Sequence, residues 1–73
     1  MSLSTSQIKY LKVLLEGGTL AWSALNNGIR QNLIEEEQIV VITHGSHKTI
    51  YAPNSDSLRQ FLEHSYEELR GFN

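Results

Sequence analysis

Two runs dense in β-branched residues, Gln38-Ile39-Val40-Val41-Ile42-Thr43 and Lys48-Thr49-Ile50-Tyr51-Ala52, flank the segment His44-Gly45-Ser46-His47. No other stretch restricts the fold so tightly. Such side chains fit a pleated surface, and a two-residue Gly45-Ser46 turn of type II′ puts glycine at the first central position, where that turn needs it. Pairing then follows by counting. His44 opposes His47, Thr43 opposes Lys48, Val41 opposes Ile50 and Ile39 opposes Ala52. Pro53 cannot donate to a ladder and ends the second strand.

The remaining segments carry helical spacing. Ser4-Thr5-Ser6-Gln7 has the form of a capping box with Ser4 as cap, and Leu3 and Ile8 sit where a hydrophobic staple closes the entry. Ile8, Leu11 and Leu15 form an apolar stripe that Leu14 widens, while Lys9, Lys12 and Glu16 face away. Gly17-Gly18 stops this helix. Thr19 to Leu25 reads as a short second helix with Thr19 as cap, broken by Asn26-Asn27-Gly28. A third helix is expected from about Ile29 to Glu37 with Asn27 as cap, burying Ile29, Leu33 and Ile34. After Pro53, Asn54-Ser55-Asp56-Ser57 offers several caps and an acidic residue suited to a helix start. Leu58, Phe61, Leu62, Ser65, Tyr66 and Leu69 then continue at helical spacing to Gly71.

Size and composition remove other classes. With 73 residues, six basic and eight acidic groups, a formal net charge of −2 and no cysteine, the chain reads as one small domain over residues 1–73. It has no disulfide framework and no thiolate zinc site. Hydrophobic residues make up 40% of the sequence, enough for a core, and charged residues 19%, too few for a disordered tail. No apolar run approaches the roughly 18 residues of a membrane span, and Met1-Ser2-Leu3-Ser4 lacks the features of a secretory signal, so a cytoplasmic location is expected. No spacing puts a nucleophile beside a base and an orienting group, and no glycine-rich phosphate loop is present, so an enzyme is not expected. No cofactor or small-molecule ligand is indicated.

The order helix, short helix, turn, helix, hairpin, helix resembles the winged helix-turn-helix superfamily. The resemblance runs from Ser4 to about Gly71 and rests on Gly17-Gly18, on Asn26-Asn27-Gly28 in the turn, and on the wing Ile39 to Ala52 around Gly45-Ser46. It implies an α+β fold with a three-helix helix-turn-helix core, a β-hairpin wing and a C-terminal helix. It also implies a DNA-binding or transcription-regulatory module. Its reading helix would be Asn27 to Gln38 and its wing tip His44 to Lys48.

On these residues the implied contacts with double-stranded DNA are Asn27, Arg30, Gln31 and Asn32 on the helix and His44, Ser46, His47 and Lys48 on the wing. Gln31 and Asn32 carry amides suited to adenine, and Lys48 a cation for phosphate. Against this stands the run Glu35-Glu36-Glu37, which places negative charge on the same helix. The competing reading is therefore a winged helix used for protein interaction or dimerisation within a larger protein or complex. Leu58, Tyr66, Leu69 and Phe72 on the last helix are the expected interface for a partner or second copy. His44 and His47 meet across the turn, but without further ligands nearby no metal site is assigned. Trp22 reads as a core residue.

Overall fold

The computed structural model describes residues 3–70. The described residues form a small α+β unit of three α-helices and one three-stranded antiparallel sheet. Helix α1 spans Thr5–Leu15, strand β1 Thr19–Ala21, helix α2 Asn27–Glu35, strand β2 Val40–His44, strand β3 His47–Tyr51 and helix α3 Ser55–Ser65. Single 3₁₀ turns occupy Trp22–Ala24 and Glu67–Leu69.

The hairpin has the register expected from its turn. His44 opposes His47, Thr43 opposes Lys48 and Val41 opposes Ile50. Gly45 has φ 59 and Ser46 does not share the positive φ, which is the type II′ pattern. The expected pair Ile39 with Ala52 does not form, because the ladder stops at Val40 and Tyr51.

The expected second helix is corrected. Thr19 pairs with Tyr51, Leu20 with Ile50 and Ala21 with Thr49, so the start of this segment is an edge strand and only Trp22–Ala24 coils. Extended backbone lets Leu20 point alone into the core while Thr19 and Ala21 stay outside. The sheet order is β1-β3-β2.

α1 and α2 end in the same way. In α1, Gly17 N–H bonds to the Leu14 carbonyl and Gly18 N–H to that of Val13; in α2, Glu37 bonds to Ile34 and Gln38 to Leu33. Each is the paired 5→2 and 6→1 arrangement of a Schellman cap, whose first residue past the cap is left-handed. Gly17 fills that place in α1 with φ 85, but Glu37 fills it in α2 with φ 56. α2 thus covers Asn27–Glu35 rather than 29–37, and its cap is Asn26 rather than Asn27.

The capping box at α1 is only half formed. Ser4 Oγ accepts from Gln7 N–H at 3.2 Å, but the Gln7 side chain does not return to Ser4. It turns inward, donating from Nε2 to the Ala24 carbonyl at 3.1 Å and accepting the Asn26 N–H at Oε1 at 2.8 Å. Gln7 is the buried polar residue among the described residues and supplies the partner for the chain just before α2.

The last helix ends earlier than its apolar spacing implies. α3 closes at Ser65, Tyr66 is extended at φ −127 and ψ 112, and Leu69 reaches the core from a 3₁₀ turn. Leu58, Tyr66 and Leu69, expected at an interface, are 0%, 3% and 1% exposed and belong to this chain's own core, so they offer no surface to a partner. Phe72 lies outside the described residues. The core also contains Leu11, Leu14, Ile29, Leu33, Ile50 and Leu62, drawn from the three helices and β3. No helix is long and apolar enough to cross a membrane among the described residues.

Candidate functional site

The register of β1 on β3 creates the site. Ala21 pairs with Thr49, so one step further along the antiparallel ladder Trp22 comes level with Lys48. The Lys48 ammonium lies 5.1 Å from the centre of the Trp22 ring. From the other side of the sequence, α2 brings Arg30, whose guanidinium carbon lies 4.3 Å from the same centre. Both cations are within the distance at which an aromatic ring attracts positive charge. One indole thus joins the hairpin tip to the start of α2.

Arg30 is held firmly. Its Nη1 donates to the carbonyls of Trp22 at 3.0 Å and Leu25 at 2.9 Å, and its Nη2 to Asn27 Oδ1 at 3.0 Å. Its Nε is buried without a hydrogen-bond partner among the described residues. The guanidinium therefore fixes the 3₁₀ turn against α2 and is spent on these carbonyls, Asn27 and the ring face rather than reaching outward.

Beside Trp22 runs an open groove of ≈ 420 Å³ lined by Ala21, Trp22, Ser23, Ser46, His47 and Lys48. It offers an ammonium, an imidazole, hydroxyls and an indole in one place, a set suited to an anion or a polar ligand rather than to an apolar one. Its openness to water does not suit chemistry that must exclude solvent.

The expected site residues separate into three groups. Ser46, His47 and Lys48 share the groove, and His44 is exposed next to them on the hairpin. Asn27 and Gln31 are exposed on one face of α2, four residues apart. Asn32 is half-buried and turned away from that face, donating to the Tyr66 hydroxyl at 3.3 Å, which anchors α2 to the end of α3. Glu35, Glu36 and Glu37 are exposed at the far end of α2. No group of three or more histidine, aspartate or glutamate side chains is placed to hold a metal ion among the described residues.

Trp22 was not expected here. It packs partly on the core, as a lone tryptophan in a small chain should, and its ring also carries two cations. The signal lay in the strand reading of Thr19–Ala21, since only a ladder to β3 aligns Trp22 with Lys48. No protein-family model, curated protein or solved structure matches this chain.

Proposed function

We propose that this chain is a winged-helix module that binds double-stranded DNA, in a transcription-regulatory role without catalysis. The sheet order β1-β3-β2, with the hairpin directly after α2, supports the winged-helix reading. The observation that carries the functional reading is the Trp22 junction. It gathers Lys48 of the wing and the Arg30 end of α2 on one surface, with Asn27 and Gln31 exposed at the helix start. In this reading Lys48, Ser46 and His47 hold phosphates, and Asn27 and Gln31 meet base edges. Arg30 and Asn32 position the helix. The second reading, a protein-interaction module, is favoured by Glu35–Glu37, which put negative charge at the other end of the same helix.

Titrating duplex DNA into the isotopically labelled chain at two salt concentrations tests the proposal. Amide shifts are expected at Asn27, Gln31 and residues 46–48, and affinity should fall steeply with salt. Lys48→Ala should flatten the salt slope by about one unit, the contribution of one phosphate contact. An absence of shifts at low salt overturns the DNA reading and leaves the protein-interaction one.

A further inference from the structure

Strand β2 is an open sheet edge. β3 covers one side of it, and the order β1-β3-β2 leaves the other side unpaired among the described residues. The opposite edge, β1, is blunted by its length of three residues, whereas β2 runs for five without proline, lysine or a bulge. Val40 and Val41, at 39% and 36% exposure, are the exposed large apolar side chains among the described residues, and both lie on this strand.

The hairpin fixes which backbone groups are free. Residues flanking a two-residue turn form a hydrogen-bonded pair, so His44 with His47, Ile42 with Thr49 and Val40 with Tyr51 use their N–H and C=O groups inward. Val41 and Thr43 direct theirs outward. Two such edges are complementary to each other: laid antiparallel about a two-fold axis at Ile42, Val41 of each copy meets Thr43 of the other, and four N–H and C=O pairs close.

The charges agree with this arrangement. Glu35–Glu37 precede the strand and Lys48 follows it, just past the turn. Antiparallel pairing sets the beginning of one strand beside the end of the other, so the acidic run of each copy approaches the hairpin tip that carries Lys48 in its mate. A parallel pairing would set like charges together.

We propose that β2 is the interface of a symmetric dimer, in which two copies join their sheets edge to edge across Ile42. The backbone edge of β2 is separate from the groove beside Trp22, although Lys48 at the hairpin tip is common to both surfaces. A contact made by a single pair of edge strands belongs to the small, transient class, below about 1,200 Å² in total, so association is expected to be weak.

Sedimentation across a concentration series tests it. The wild-type chain should dimerise, and more weakly as salt is raised. Thr43→Pro removes an outward N–H without touching the β2–β3 ladder, and should weaken association at least about tenfold. The Glu36→Lys/Glu37→Lys variant and the His47→Glu/Lys48→Glu variant should each stay monomeric, because each sets like charges together at both ends. An equimolar mixture of the two should form a heterodimer, since opposite charges then meet at both ends. Circular dichroism checks the fold of each variant, and the mixture decides the matter even if the proline variant unfolds. A wild-type chain that remains monomeric to about 1 mM, or a mixture that shows no heterodimer, overturns the proposal. Thr43 lies outside the groove beside Trp22, so loss of dimerisation with DNA binding retained in the Thr43→Pro variant separates the two surfaces.

Discussion

Glu37 occupies a backbone position that α1 gives to glycine. The two Schellman caps have the same hydrogen-bond pattern, but Gly17 has no Cβ to strain at φ 85, while Glu37 holds a side chain at φ 56. It also adds a third negative charge at the end of α2 where the helix dipole is negative. Glu37→Gly should therefore stabilise the chain by about 0.5–1 kcal/mol, raising the melting temperature by roughly 3–6 °C. Gly17→Ala should lower it by a similar amount, and calorimetry on both variants reads the contrast. Gly18 is restricted for another reason: a Cβ there would lie 2.7 Å from Val13 Cγ1. The glycine pair as a helix stop was legible in the sequence, because glycine is the usual residue at such ends. The stop at Glu37 was not, since nothing in an acidic run announces a left-handed residue. Arg30 shows the same limit. As a lone cation on α2 it reads as a phosphate contact, and only the fold brings the carbonyls of Trp22 and Leu25 to it.

Among the elements, the hairpin was readable and β1 was not. The hairpin is local: Gly45-Ser46 sets the register, and five pairs follow from it. β1 pairs with residues about thirty positions away, and in Thr19-Leu20-Ala21 a single β-branched residue, Thr19, does not outweigh the helical preference of leucine and alanine. The end of α3 was obscured in the same way, because a 3₁₀ turn returns Leu69 to the core at a spacing that also suits a helix. Gln7 links the elements at this junction. Its amide serves both the Ala24 carbonyl and the Asn26 N–H, so α1 holds the entry to α2. Gln7→Leu keeps the volume but leaves both backbone groups without that partner, and should cost about 2–4 kcal/mol. Faster hydrogen exchange at Asn26 and a lower melting temperature would record the loss. A similar role for the outer glutamine is visible where Gln38 Oε1 accepts the Ser57 hydroxyl at 3.0 Å, tying the start of α3 to the end of α2.

At the scale of the whole molecule, stability rests on one small core. A chain of 73 residues has roughly 4–11 kcal/mol in hand, and truncating one fully buried leucine costs about 2–5 kcal/mol. Leu58→Ala should therefore lower the melting temperature by more than about 10 °C at every protein concentration, approaching unfolding at physiological temperature. A loss that vanished on dilution would instead place Leu58 at a contact between copies. The core itself was largely legible: Leu11, Leu14, Ile29, Leu33, Leu58 and Leu62 follow helical spacing, and each is buried. What spacing did not convey was which part of the surface is shared between distant segments. That surface is where the only tryptophan of the sequence stands, its ring beside Arg30 and Lys48. The chain thus carries an intrinsic fluorophore at the junction of helix and hairpin. Because the Lys48 ammonium is the more distant and more exposed of the two cations, any molecule that draws it away alters the field on the indole. Emission colour and quenching, read without a label, then report occupancy of the groove.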